Sequence, residues 1–125
     1  AVEVPQVTEA LKSFGVAASS FNVSFEQSVA LIETMGEFSI KGSEAGTALR
    51  NVLNKMSTAQ ALPKEAIEQL EKFGVNTKLV MDKQVPFNER LREFSKIGKD
   101  AVAIAKVFGA ENKIAGEIIL NNVDK

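Results

Sequence analysis

The chain has 125 residues, with 15 Lys+Arg against 16 Asp+Glu and no Cys, His, Trp or Tyr. That length suits one domain that buries roughly two-thirds of its extended surface without staples. Thiolate nucleophiles, imidazole bases, Cys/His zinc sites and disulfides are all excluded. A formal net charge of −1 gives no cationic footprint for nucleic acid or acidic lipid. The longest apolar run, residues 101–105, falls far short of the roughly 20 residues of a membrane helix.

The opening Ala1-Val2-Glu3-Val4 has no initiator Met and no leader pattern, so the expectation is an excised fragment without a secretory signal. From there, Val7, Ala10, Leu11, Phe14, Ala17, Ala18 and Phe21 fall on one helical stripe, and Pro5 suits its opening. The stripe continues past Gly15, which predicts one helix through that glycine at a cost of about 1 kcal/mol relative to Ala. Asn22 tolerates the left-handed conformation that ends a helix, with Val23 positioned for the accompanying apolar contact. Ser24-Phe25-Glu26-Gln27 has the form of a capping box and predicts a second helix with Phe25, Val29, Ile32, Met35 and Phe38 inward. Ile40-Lys41-Gly42 breaks that pattern. Ser43 is the expected N-cap of a third helix, with Glu44 favourable to its dipole and a stripe of Ala45, Ala48, Leu49, Val52, Leu53 and Met56.

Pro63 suits the first position of a fourth helix with Ala66, Ile67, Leu70 and Phe73 inward and a stop at Gly74. Leu11-Lys12-Ser13-Phe14-Gly15-Val16 and Leu70-Glu71-Lys72-Phe73-Gly74-Val75 look alike, although their contexts differ. Asn76-Thr77-Lys78-Leu79-Val80-Met81 alternates and is followed by Asp82-Lys83 and a short run, which predicts a small hairpin near residues 76–87. Phe87, Leu91, Phe94 and Ile97 mark a fifth helix, covered outside by Glu89, Arg90, Arg92, Glu93 and Lys96 and closed by Gly98. Asp100 caps a sixth, Ala101–Phe108, apolar nearly all round and therefore expected at the centre of the core; Gly109 ends it. A last helix from about Glu111 turns Ile114, Ala115, Ile118, Ile119 and Val123 to one side. The expected fold is a compact all-α domain of six or seven helices over residues 1–125, with at most one small β-hairpin.

Chemistry-bearing patterns are sparse. Acidic residues lie beside Lys and Arg, as in Glu68 with Lys72, where a weak surface pair is the ordinary outcome. No carboxylate pair is fixed by spacing, so a hydrolase is the weakest of the function classes. Gly42-Ser43-Glu44-Ala45-Gly46-Thr47 lacks the spacing and the Lys-Ser/Thr of a phosphate-binding loop and reads as a helix start. Residues 25–56 allow an alternative function, a helix-turn-helix DNA-binding regulator with Lys41, Arg50 and Lys55 toward phosphates, but three cations do not make a binding face. Of the eight Phe, Phe14, Phe25, Phe73, Phe94 and Phe108 are expected inward, with Phe38 and Phe87 at element ends. Gly46 and Arg50, four apart, suggest close approach of another helix at the glycine. Arg50 then either bonds carbonyls at a neighbouring helix end or contacts a partner subunit.

The stretch Ile40-Lys41-Gly42-Ser43-Glu44-Ala45-Gly46-Thr47-Ala48-Leu49-Arg50-Asn51-Val52-Leu53 closely resembles the conserved domain of phage tail tape-measure proteins. Ser24-Phe25-Glu26-Gln27 matches the cap that precedes it there, with Gln27 in place of a commoner Glu. The segment Leu70 to Val75, and Lys106-Val107-Phe108-Gly109 with Ile118 to Leu120, look like later parts of the same pattern. The likeness covers roughly residues 5–122; Asn22 stands where the family often has Gly, and Asp82-Lys83-Gln84-Val85 lacks the usual Gly of a turn. The motif residues are Ser24, Gln27, Gly42, Ser43, Gly46, Thr47, Leu49, Arg50, Phe108 and Gly109. The resemblance implies one domain of a much longer, prophage-encoded protein whose length-measuring helical region lies elsewhere. It also implies a non-enzymatic role in tail assembly and tail-length determination, in a virion tail made in the bacterial cytoplasm. The implied partners are other tail proteins and copies of the chain itself, with no cofactor, metal, small-molecule substrate, specific nucleic acid or membrane span.

Overall fold

Residues 4–98 and 100–122, described by a computed structural model, form eight α-helices and two 3-10 turns, with no strand among them. The all-α expectation holds, with one or two more helices than the periodicity predicted.

α1 (Val4–Ser20) runs unbroken through Gly15 because apolar residues continue in register on both sides of it: Ala10, Phe14, Ala18 and Phe21 are all buried. Its end is stapled by two backbone bonds, Asn22 N–H to Ser19 O at 3.1 Å and Val23 N–H to Ala18 O at 2.8 Å, with Asn22 at φ 58° and Val23 buried. The look-alike segment in α4 (Lys64–Lys72) stops where α1 continues. There Val75 turns back into the core, its N–H donates to Leu70 O at 2.9 Å, and Gly74 takes φ +71°, a conformation that needs no Cβ. Pro63 occupies the N-cap of α4 rather than its first position.

α2 (Phe25–Glu37) starts on the complete capping box: Gln27 N–H donates to Ser24 Oγ at 3.1 Å and Ser24 N–H donates to Gln27 Oε1 at 3.0 Å. Ile32 and Met35 of the predicted stripe are buried, joined by Ser28, while Val29 is half-buried and Phe25, at the start of the stripe, is 66% exposed. Val23 enters the core just before the helix and takes the inner position at this corner, rotating Phe25 outward. α3 (Gly42–Ser57) begins one residue before the expected cap. Lys41 is the N-cap, without a side-chain bond, and buried Gly42 is the first helical residue, with φ 60°. Ser43 is therefore already past the position from which a hydroxyl caps. α3 packs against α1, α2, α5, α7 and α8 and is the hub of the core.

The expected hairpin is a helix. Residues 77–81 form α5 (Thr77–Met81), because Asn76 Oδ1 accepts the Leu79 N–H at 3.2 Å and Glu93 Oε2 accepts the Asn76 N–H at 2.7 Å. With the backbone satisfied locally, the β-branched alternation has no strand partner to seek. A turn closed by Val85 N–H to Asp82 O leads to α6 (Phe87–Phe94) and a 3-10 turn, Ser95–Ile97, that stops at Gly98. α7 (Ala101–Phe108) is capped by Asp100 Oδ1, which accepts from Val102 and Ala103 N–H at 3.0 Å each. It buries Ala103, Ile104, Val107 and Phe108, but it is amphipathic rather than enclosed, since Val102 is 59% exposed. After a 3-10 turn, Ala110–Asn112, comes α8 (Lys113–Leu120) with Ala115, Gly116, Ile118, Ile119 and Leu120 inward. Ile114, expected inward, is exposed, and Val123 lies outside the described residues. Phe73 is half-buried, Phe38 exposed and Phe87 buried. No helix among the described residues is long and apolar enough to cross a membrane.

Candidate functional site

The motif on α3 is divided between packing and surface. A Cβ on Gly46 would overlap the Ala10 carbonyl oxygen of α1 and come within 2.8 Å of Ser13 Cβ, so the glycine is the point where the two helix backbones meet. Leu49, buried, continues that face into the core; Ser43, Thr47 and Arg50 are exposed. The close approach expected at Gly46 is present, and its partner is α1.

The other motif residues are tied to this centre indirectly. Gln27, besides closing the capping box, donates through Nε2 to Asn88 Oδ1 at 3.3 Å, linking the start of α2 to α6. Phe108 is fully buried, edge-on to Phe94 with centroids 5.5 Å apart. It is also seated on Gly116, where a Cβ would come within 2.5 Å of the ring. Beyond Gly109, at φ 85°, Asn112 accepts a bond from Asn51 Nδ2 of α3 at 3.1 Å and donates to Phe108 O at 3.2 Å. The α3 and Phe108-Gly109 segments thus meet through one pair of amide side chains. Gly116 and Asn112 were not singled out from the sequence; a small residue facing a buried Phe has no local signature.

Arg90 overturns the expectation that it covers the outside of α6. It is 0% exposed, its guanidinium lying 4.3 Å from the Phe21 ring centroid and 5.4 Å from that of Phe87. Nη2 reaches Asn22 O at 3.4 Å, while Nε and Nη1 have no hydrogen-bond acceptor. Burial lowers its pKa and the Asp82 carboxylate partly restores it. The two aromatic faces supply the electrostatic compensation that acceptors do not. The signal was present in the spacing: Arg90 lies three residues after Phe87 and four before Phe94, on the inner stripe itself.

Arg50 does not bond carbonyls at a neighbouring helix end. Among the described residues no hydrogen bond or ion pair holds its guanidinium. It lines a cleft of about 480 Å³ between α1 and α3, together with Lys12, Val16, Ser20, Asn54 and Lys83. Lys83 belongs to the α5–α6 turn and is brought there by Asn22 Nδ2, which donates to its carbonyl at 2.8 Å. Lys12 pairs with Glu9 at 3.0 Å. On another face, the outer side of α2 presents Phe25 with Glu26, Glu33 and Glu37, lining a shallow groove of about 510 Å³.

Burial pushes the Glu93 carboxyl up, but the Lys96 ammonium at 2.8 Å and the Asn76 N–H together outweigh it, so its pKa is lowered overall. Glu68 and Lys72 are both exposed, and Lys72 Nζ lies over the Phe73 ring. The α3 helix is poorly disposed for DNA reading: seven of its residues are buried, and its exposed residues include Glu44 as well as Arg50. Among the described residues no three carboxylates are grouped to hold a metal.

Comparison with known proteins bears on this arrangement. A family model described as phage-related minor tail protein matches residues 1–115. The tape measure protein of Pneumococcus phage Dp-1 is 29% identical over 91 residues, which cover 73% of this chain and 8% of that protein. No solved structure matches the chain.

Proposed function

The chain belongs to the phage-related minor tail protein family, and from that premise we propose that it is a folded, non-enzymatic module of a tape-measure protein, contributing to tail assembly and tail-length determination. Membership of the family supports a structural role in the virion tail. The observation that carries the reading is the family match over residues 1–115, which spans every motif residue and every helix up to the first turn of α8. The 8% share of the tape measure protein's length supports a single domain, 1–125, within a much longer chain. Its partners are other tail proteins and further copies of itself, and it is made in the cytoplasm of the bacterial host.

The residues fit docking rather than chemistry. The motif glycine and caps set the relative position of α1, α2 and α3, and the polar surface they leave exposed is cationic on one face and acidic on another. The test is an in-frame deletion of this domain in a phage that encodes it, with tails counted and measured by negative-stain electron microscopy. The expected result is missing tails or tails of aberrant length. Virions with tails of normal number and length would overturn the reading.

A further inference from the structure

We propose that this domain docks head to tail on a second copy of itself, the acidic outer face of α2 seating in the cationic cleft between α1 and α3 of its neighbour. The inference deepens the assembly-module reading and rests on it. Glu26, Glu33 and Glu37 are exposed and fall at i, i+7 and i+11, one stripe along α2 that spans about 16 Å at 1.5 Å per residue. Phe25, 66% exposed, lines the same groove at its N-terminal end and supplies an apolar anchor. The cleft offers the complement: Lys12, Arg50 and Lys83 are exposed around it, and Val16, 81% exposed, supplies apolar surface at its wall.

The only carboxylate found bonded at the cleft among the described residues is Glu9, which takes Lys12 and leaves Arg50 and Lys83 without an ion pair. A net charge of −1 conceals this separation of sign across the molecule, so the complementarity shows only when the surfaces are located. The two patches share no lining residue, so one copy presents both at once. Such a contact is heterologous and generates a closed ring or an open stack rather than a two-fold dimer. A nucleic-acid occupant would meet the same cations but leave the acidic, Phe25-bearing face without a role.

Sedimentation velocity on the 125-residue chain, from micromolar to millimolar concentration, tests the proposal with two charge reversals, Arg50→Glu in the cleft and Glu33→Lys on α2. Both side chains are exposed, and circular dichroism checks that each variant keeps its helices. The wild-type chain is expected to self-associate, at least about tenfold more weakly at about 500 mM than at about 50 mM salt because exposed charges are screened. Each variant alone is expected to be monomeric. An equimolar mixture of the two is expected to form a one-to-one pair and stop there, since each supplies the intact surface that the other lacks. A wild-type chain monomeric at millimolar concentration would overturn the proposal, as would association that both reversals leave intact or a mixture that does not pair. Arg50-dependent binding of duplex DNA by a chain that stays monomeric would reassign the cleft. A monomeric chain alongside a tail defect on deletion would remove self-docking and leave the tail role standing.

Discussion

Replacing Gly46 by alanine puts the close contact of α3 with α1 to a direct test. The added methyl meets backbone and a Cβ, namely the Ala10 carbonyl, with its carbon at 3.0 Å, and Ser13 Cβ at 2.8 Å, so no flexible side-chain end can swing away to admit it. Relief requires α1 to shift as a body against α3, which loosens the packing of Ala10 and Phe14, both 0% exposed. Overpacking of this kind costs about 3 kcal/mol, against which the better helix propensity of Ala returns about 1 kcal/mol. The expected net loss is about 2 kcal/mol, a fall in Tm of about 8 °C for a domain of this size. Gly15→Ala is the internal control, because it is a helix-interior glycine of α1 with nothing within 4 Å of a built Cβ. That variant should melt higher, with a gain of up to about 1 kcal/mol from propensity alone. Thermal melts followed by far-ultraviolet circular dichroism measure both. A Gly46→Ala domain melting at or above the parent would refute the packing argument.

The buried guanidinium of Arg90 and the lowered carboxyl pKa of Glu93 give further tests. Arg90→Met keeps the volume between Phe21 and Phe87 while removing two unpaired donors, and should change stability by less than about 1.5 kcal/mol; Arg90→Ala opens a cavity and should cost about 2–4 kcal/mol, both read by urea denaturation. The lowered pKa of Glu93 means that its carboxylate contributes stability fully present above the unfolded-state pKa of about 4.3 and lost as pH falls through the lower folded value. Melts between about pH 6 and pH 3 should therefore show a decline that Glu93→Gln makes shallower. Gly116→Ala should destabilise through the Phe108 ring, which is held by Phe94 and cannot tilt freely, and the variant should lose near-ultraviolet signal from the Phe cluster.

What the sequence by itself determined is what physics decides within a few residues. Helix starts at Ser24 and Asp100 depend on an oxygen reaching an N–H two or three positions on, and helix ends at Asn22 and Gly74 depend on one left-handed residue followed by an apolar one. Those were legible, as was the stripe that makes α3 the core helix and the expectation that something approaches Gly46. The short α5 marks the limit: its alternation is strand-like, and the carboxylate of Glu93, seventeen residues away, helps to hold the helix start by accepting the Asn76 N–H. Tertiary structure alone decided which helix meets Gly46, why Gly116 is small, that Phe25 and Ile114 face out, and that Arg90 is enclosed by the Phe21 ring, from the turn after α1, and the Phe87 ring of its own helix. It also decided the candidate docking surfaces, because Lys12, Arg50 and Lys83 are far apart in the chain and become one cleft only when α1 lies against α3 and Asn22 holds the α5–α6 turn beside them. Periodicity tells a residue which side of its own helix it is on; which side faces water depends on the neighbours that the whole fold supplies.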